Sequence, residues 1–451
     1  MRRIIKTALA LLTATLSASE KPNFIIVFTD DQGYADLGCY GGDVLTPRID
    51  QMASEGLLFT DFYAQTVCGP SRAAIMTGSY PLRIAREDSQ KGPHPEMAQS
   101  EVTIPEILKP LNYKTAMLGK WDLAGHRQKN FNPDLTPLDQ GFDYAFWTPS
   151  SNDAIVNLYD QRELIEEKAD MSLLTKRYTD KALDFIRDHK EDAFFVYLAH
   201  TMPHTKLAVS QEFKGKTGKG MYADVIAEID YNLGRLLDEV KALGIDDNTY
   251  VIFTSDNGPW WIRKDHGGSA LPLRAAKTSC YEGGFRVPCI VRAPGKVPAG
   301  ATTNAHTATI DLLPTIAQIT GAKAPSDRVI DGLDISTILS GESESLERAF
   351  FYYQHTALRA VRKGQWKLHI PHVEEDKKGF ATKWANHIPK ADRPLLSELT
   401  LYNLKSDIGE TTNVANENPD IVQDLLNEIA SMKADLGSHT QLGKNCRYAS
   451  K

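Results

Sequence analysis

The chain has 451 residues, 42% of them hydrophobic and 24% charged, with 51 Lys and Arg against 58 Asp and Glu. That composition argues against disorder and suffices for one large α/β domain with an appendage. A formal net charge of -7 excludes a surface that attracts nucleic acid as a whole, so an anionic ligand has to be drawn by a local cationic pocket.

The first residues differ in kind from the rest. Arg2, Arg3 and Lys6 precede an apolar run over 7–16, and Ser17 and Ala18 place small residues at a cleavage point, so 1–18 reads as a secretory signal peptide. The Arg2-Arg3 pair alone does not argue a twin-arginine route. No other apolar run is long enough to span a bilayer, and the expected location is secreted or periplasmic. Cleavage removes three basic groups and no acid, which takes the charge to about -10. Five cysteines, at 39, 68, 280, 289 and 446, are an odd number for an exported chain. Cys68 is the expected unpaired or modified one, and Cys39, Cys280, Cys289 and Cys446 form two disulfides or none.

PNFIIVFTDDQG is an apolar run over 24–28 that ends in two carboxylates, and NTYVIFTSDNG repeats the pattern at 250–257. Each predicts a buried parallel strand with acidic side chains at its C-terminal end. Open α/β sheets bind ligands at that edge, so Asp30, Asp31, Asp256 and Asn257 are expected to converge. Further strands are predicted near Thr115, Phe195 and Ile290, and helices over SLLTKRYTDKALDFIRDH and YADVIAEIDYNLGRLLDEVKALG, the second closed by Gly244. The alternation predicts an α/β fold, a large mainly parallel sheet sandwiched by helices over 19–330. After TIDLLPTIAQITG the texture changes to aromatic, β-branched strands and a terminal helix. A smaller C-terminal α+β domain with an antiparallel sheet is expected over 331–451. Irregular segments around 84–100, 260–275 and 371–397 carry Trp, His and Arg among Gly and Pro and are expected to be pocket walls.

VCGPSRAAIMTG, at 67–78, sets Cys68 before a Gly-Pro corner and a helix through Arg72 to Met76. Pro70 suits a first helical turn, which leaves Cys68 just outside the N-terminus, where unpaired N–H groups and the dipole favour an anion. On these residues alone two readings stand, a thiolate nucleophile of depressed pKa or a buried structural cysteine. The four residues Asp30, Asp31, Asp256 and Asn257 offer only oxygen, which suits Ca²⁺ or Mg²⁺ rather than Zn²⁺. Either acidic pair alone reads as a strand-to-loop turn; two such ends with Cys68 between them read as a site.

CGPSRAAIMTG resembles, without a mismatch, the maturation signature of the sulfatase family: Cys-x-Pro-Ser-Arg, three residues, Leu or Met, and Thr-Gly. NFIIVFTDDQGYADLGCYGG, TPRIDQMASEGLLFTDFYAQ, GKW, HTMPH, IFTSDNG, YEGGFRVP and the tail LYNLKSD with NVAN resemble family segments in family order. The resemblance covers nearly the whole mature chain and implies a formylglycine-dependent sulfatase of the alkaline phosphatase superfamily. It implies that a maturation enzyme oxidises Cys68 to formylglycine, which works as an aldehyde hydrate. It points to Ca²⁺ ahead of Mg²⁺, held by Asp30, Asp31, Asp256 and Asn257 beside residue 68. Arg72 is expected to bring its guanidinium towards the helix mouth. Lys120 and Lys277 correspond to family lysines on the sulfate, and His204 to the histidine beside the leaving oxygen, which His204 or Lys277 would protonate. Arg286 also matches, and is expected to have a structural role or to support the site from behind.

One position departs from the family. Where relatives read Gly-Lys-Trp-His-Leu-Gly, this chain reads GKWDLAG, so Asp122 replaces a histidine that assists sulfate release. A carboxylate can accept the same proton, but its charge repels sulfate unless a neighbour neutralises it. His126 is the second candidate for that task, or touches substrate. Export, together with Trp260, Trp261, Asn152, Asp153, Arg263, His266 and His355 in expected pocket segments, favours a sulfated carbohydrate as substrate. The tryptophans read almost equally well as packing between domains. The rivals are a phosphodiesterase or phosphonate monoester hydrolase of the same superfamily, and a sulfoglycan-binding protein that has lost catalysis.

Overall fold

The computed structural model describes residues 21–84, 97–153, 155–354, 356–371, 397–438 and 441–447. The leader at 1–18 and most of the segments expected as pocket walls at 84–100 and 371–397 lie outside them.

Asn23–Thr29 and Thr249–Ser255 are strands buried along their full length, as continuous β-branched and aromatic runs require when both faces of a sheet are covered. They pair in parallel, and Phe194–Ala199, Lys114–Lys120 and Tyr144–Thr148 continue the parallel sheet beyond Asn23–Thr29. Ten strands form the whole sheet, with Leu158–Asp160 and Glu163–Glu166 at one edge and Leu57–Phe59 and Ala301–Thr303 at the other. Cys289–Arg292 runs antiparallel to both of its neighbours, so the sheet is mixed and mainly parallel.

Side chains alternate across this sheet. Phe24, Ile26 and Phe28 pack with Ile75, Met76, Leu312 and Ile316 on one face, while Ile25 and Val27 pack with Leu183, Ile186, Ile229 and Leu233 on the other. The two predicted long helices are Leu174–Asp188 and Met221–Ala242, and Gly244 stands just past the second with φ +71.

Ala349–Gln354, Ala357–Lys363, Trp366–His369 and Thr400–Asn403 form a separate antiparallel sheet. Helix Pro419–Asp435 contributes Leu425, Ile429 and Met432 to its core, which also takes in Tyr63, Ala74 and Phe285 from the larger layer. A buried charge cluster fastens the two. Glu282 accepts hydrogen bonds from Lys367 Nζ at 2.9 Å and from the hydroxyls of Tyr352 at 2.9 Å and Tyr63 at 2.5 Å.

The register places the site. Thr29 lies opposite Ser255, Phe28 and Gly119 lie opposite Ala199, and Lys120 lies opposite Thr148. Five strands therefore end within one residue of level, and the next residues of each emerge at one edge. Gly119 makes this possible on its strand: with φ +111, a Cβ would lie 1.9 Å from the carbonyl oxygen of Ala199.

Candidate active site

The helix carrying Cys68 spans Cys68–Thr77, so the cysteine is its first residue rather than the residue just outside it. Val67 is extended and caps nothing with its side chain, while Gly78 closes the helix in the left-handed region. The helix is tied down by Ser71, whose hydroxyl donates to the backbone oxygen of Asp256 and accepts from the N–H of Gln65. Ser71 is not among the expected site residues; its place in the signature, three residues after Cys68, is the signal that could have found it.

Asp30, Asp31, Asp256 and Asn257 do meet at the sheet edge, all buried. The N–H of Asp31 donates to Asp256 Oδ1 at 3.1 Å, and Asn257 Nδ2 donates to Asp31 Oδ1 at 2.7 Å. Three buried cations face them. Arg72 reaches Asp256 Oδ2 at 2.8 Å and Asp30 Oδ2 at 3.5 Å, Lys120 Nζ reaches Asp30 Oδ2 at 2.7 Å, and Lys277 Nζ reaches Asp31 Oδ1 at 2.5 Å. Arg72 thus lies beneath the edge, over the ring of Phe28 and donating to the backbone oxygen of Lys120 at 3.0 Å, and holds the carboxylates in place. Burial pushes the Asp30 carboxyl up, but Lys120, His204 and Arg72 outweigh it and hold it well below the usual range. Asp256 goes the other way, to about 7, through burial and the charge of Asp30.

Cys68 Sγ faces this edge, 3.2 Å from Asp30 Oδ1, and accepts from Lys277 Nζ at 3.3 Å. Burial first, then Asp256 and Asp30, push the thiol well above its ordinary value. The helix N-terminus does not offset burial and those carboxylates, so Cys68 is not the thiol of depressed pKa that its place at a helix start suggests. None of the cysteines at 39, 68, 280, 289 and 446 is in a disulfide, which decides the pairing question in favour of none.

Two buried oxygens at the edge, Asp31 Oδ2 and Asn257 Oδ1, have no hydrogen-bond partner. Ligand atoms of Asp30, Asp31, Cys68 and His204 lie within 4.8 Å of one another. Orphaned oxygens in a carboxylate-rich, buried cluster fit a hard divalent cation.

His204 stands across the site. Its Nδ1 is 2.9 Å from Asn152 Oδ1, and its Nε2 is 3.7 Å from Asp31 Oδ2 and 3.9 Å from Asp153 Oδ1. Burial lowers its pKa. Asn152, expected to touch substrate, is itself buried and donates from Nδ2 to the backbone oxygens of His204 and Lys206, each at 3.0 Å; its amide is spent on the histidine loop. Asp122 and His126 form a pair, Oδ1 to Nδ1 at 2.7 Å, with Asp122 Oδ2 3.6 Å from Lys120 Nζ. His126 Nε2 in turn lies 3.7 Å from Asp153, which is half exposed.

The Trp260 ring lines the same wall, 5.2 Å from the His204 ring, with Lys277 Nζ 4.7 Å from its centroid and the Arg263 guanidinium over it at 4.1 Å. The 3₁₀ turn Trp261–His266 follows, with Arg263 and His266 exposed. Arg286 is not at the site: it bonds Asp61 at 2.8 Å and Glu282 at 3.4 Å, inside the charge cluster between the two sheets. His355 lies outside the described residues. No helix among the described residues is long and apolar enough to cross a membrane.

The family model for sulfatases matches residues 22–322, and that for the C-terminal region of aryl-sulfatase matches 345–451. N-acetylgalactosamine-6-sulfatase of Mus musculus is 37% identical over 399 residues, covering 81% of this chain and 75% of its own. Among solved structures, a protein from a glycosaminoglycan-metabolism locus of Bacteroides thetaiotaomicron superposes with a TM-score of 0.80 at 28% identity, covering 92% of this chain and 100% of that one. Ps i-CgsB, bound to k-i-k-neocarrahexaose, gives 0.77 at 26% identity and covers 96% of each chain. With the signature cysteine against an acidic, lysine-lined sheet edge and both family regions matched, the chain belongs to the sulfatase family of sulfuric ester hydrolases.

Proposed function

We infer that this chain is an exported hydrolase of sulfate monoesters on carbohydrates, working through formylglycine made from Cys68 by a maturation enzyme. The observation that carries the reading is Cys68 at the first turn of its helix with Lys277 Nζ 3.3 Å from Sγ, opposite an edge whose oxygens are in excess of their partners. The leader at 1–18 and the division into 19–330 and 331–451 belong to the same proposal. Sugar sulfates are favoured by the relatives, one named for a galactosamine 6-sulfate and another bound to a carrahexaose.

The formylglycine hydrate supplies the oxygen that attacks sulfur and splits one difficult hydrolysis into two easier stages. Asp30, Asp31, Asp256 and Asn257 would hold a divalent cation, Ca²⁺ ahead of Mg²⁺, beside residue 68, and when bound it would supply positive charge for an anionic substrate. The remaining work falls to side chains. Lys277 and Lys120 bring two ammonium groups to the same edge before substrate arrives, so no reorganisation is needed when charge builds on the non-bridging oxygens. Arg72 keeps Asp256 and Asp30 from turning away. Asn152 Oδ1 fixes the His204 ring through Nδ1 and leaves Nε2 facing the site, where it protonates the departing sugar oxygen. Low basicity from burial makes protonated His204 a strong acid, which suits a poor leaving group. Arg263, stacked on Trp260 and exposed, offers a guanidinium to a second sulfate or a carboxylate on the chain of sugars, and Asp153 and His266 offer hydrogen bonds to hydroxyls.

The test is mass spectrometry of the peptide containing Cys68, from a host able to mature it, joined to sulfate release from a panel of sulfated mono- and oligosaccharides. A mass deficit matching formylglycine, release of sulfate from sugars, and loss of both in Cys68→Ala are expected. An unmodified thiol from a competent host, or turnover confined to small aryl sulfates, would sink the reading. Greater turnover of a bis-aryl phosphate than of an aryl sulfate would move it to the phosphodiesterases.

A further inference from the structure

Asp122 occupies the position of a family histidine, and the structure gives it a partner four residues on. Its backbone is in the left-handed region, φ 59, which few residues other than Asn, Asp and Gly accept. That conformation turns the carboxylate back over the strand end. Oδ1 takes the contact with His126 Nδ1 at 2.7 Å. Oδ2 is buried without a hydrogen-bond partner, and a Cβ built on Gly69, the neighbour of Cys68 in the chain, would lie 3.6 Å from it. Lys120 Nζ is 3.6 Å from it, beyond hydrogen-bond reach; a buried carboxylate oxygen held without a hydrogen bond is costly, and one facing the nucleophile's own turn has a use that offsets this.

We propose that Asp122 and His126 form an inverted dyad: Asp122 Oδ2 accepts the proton in the second stage, and His126 is the positioning residue that holds the carboxylate through Nδ1–H. This rests on the sulfatase reading above. In that stage the O–H bond of the remaining hydroxyl on residue 68 breaks and its proton passes to Asp122 Oδ2. The electron pair left on that oxygen forms the C=O bond, and the C–O bond to sulfate breaks with its pair going to sulfate. The proton on Asp122 is afterwards lost to water.

The charges around the pair set its pH dependence. Lys120, Arg72 and His126 face Asp122, while Asp122, Lys120 and Asp153 face His126, with His204 beyond Asp153. Asp122 raises the His126 pKa above its ordinary value. While His126 is charged, Asp122 is flanked by three cations and is a poor base. Once His126 loses its charge it still donates from Nδ1, so the carboxylate keeps its aim and gains basicity. The second stage therefore speeds up as pH rises through the His126 midpoint.

Two arms test this. The first needs no formylglycine: in the Cys68→Ser protein, the ring protons of His126 are followed by NMR across pH, with and without Asp122→Asn. The midpoint is expected above that of an ordinary histidine and about one pH unit lower in the double variant. A midpoint indifferent to Asp122→Asn would overturn the pairing. The second arm uses matured enzyme. His126→Asn keeps an N–H near the Nδ1 position but cannot titrate, so it should retain a larger share of kcat than His126→Ala and lose the rising limb of the pH profile. His126→Ala should still release alcohol in a first-turnover burst while sulfate release falls about 30-fold. A rising limb that persists in His126→Asn would overturn the positioning role. Native matured enzyme that releases no sulfate at all would overturn the sulfatase reading itself, a result distinct from either arm.

Discussion

Lys277→Met removes one charge and keeps a long, unbranched side chain in its place. The ammonium it deletes sits 3.3 Å from Cys68 Sγ and 2.5 Å from Asp31 Oδ1, in a side chain that is almost entirely buried. Two unit charges about 4 Å apart interact by about 4 kcal/mol at the effective dielectric that suits protein sites. Deleting one prearranged donor to a developing oxyanion costs about 2.7–4 kcal/mol in enzymes that have been so tested, or about 10²–10³ in kcat. The two routes agree, so kcat on a sulfated sugar is expected to fall about 300-fold. Lys277→Arg should recover only part of this, because a planar fork cannot occupy the point position of an ammonium between Asp31 and residue 68. Steady-state sulfate release is the assay, with mass spectrometry to verify that residue 68 is equally matured in each variant. A matured Lys277→Met enzyme within threefold of native would refute the idea that Lys277 stabilises the transition state.

Other consequences follow from the same geometry. Chelation should lower the melting temperature and abolish turnover, with Ca²⁺ restoring both; Asn257→Ala, which removes an orphaned oxygen donor, should blunt the thermal response to added Ca²⁺. A chelated protein with unchanged melting and full activity would count against a metal at this edge. His204→Gln should cost about 10²–10⁴ in kcat on sugar sulfates and much less on aryl sulfates, whose leaving groups need no proton; equal losses on both would deny it the role of acid. Asp230 Oδ1 accepts the N–H groups of Arg48 and Ile49, and burial pushes its carboxyl up to about 6. The folded state therefore binds that proton more tightly than the unfolded chain, and Asp230 loses stability as pH rises from about 4 through 6. Asp230→Asn keeps the accepting oxygen and cannot ionise, so its advantage over native in denaturant titrations should grow across that window to about 3 kcal/mol at pH 7. A difference constant with pH would refute the assignment.

Much of this chain is legible in one dimension because local rules and packing agree. Apolar runs that stop at Asp30-Asp31 and Asp256-Asn257 mark buried strands and the edge where their ends emerge, since a strand covered on both faces tolerates no carboxylate until it leaves the sheet. The signature at Cys68 marks the helix that meets this edge, and the change of texture after TIDLLPTIAQITG marks a separate antiparallel sheet. What a one-dimensional pattern does not hold is the direction of a long side chain. Arg72 lies four residues from Cys68 on one helix, yet its guanidinium goes under the edge to Asp256, because a buried carboxylate draws a buried cation more strongly than open pocket does. Asn152 reads as a polar group for substrate and is consumed by His204 and two backbone oxygens, since a buried amide must satisfy its own hydrogen bonds first. Arg286 keeps its place in the motif and serves a charge cluster between the sheets. The sequence by itself determined the fold class, the family signature at Cys68 and the oxygen-rich edge, because each is written in residues whose burial or signature is local. Only the tertiary structure decided that burial and two carboxylates push the Cys68 thiol up, that Asp122 leans on His126, and which cations face the site, because those outcomes turn on charges that come from different strands and meet only when the strand ends draw level.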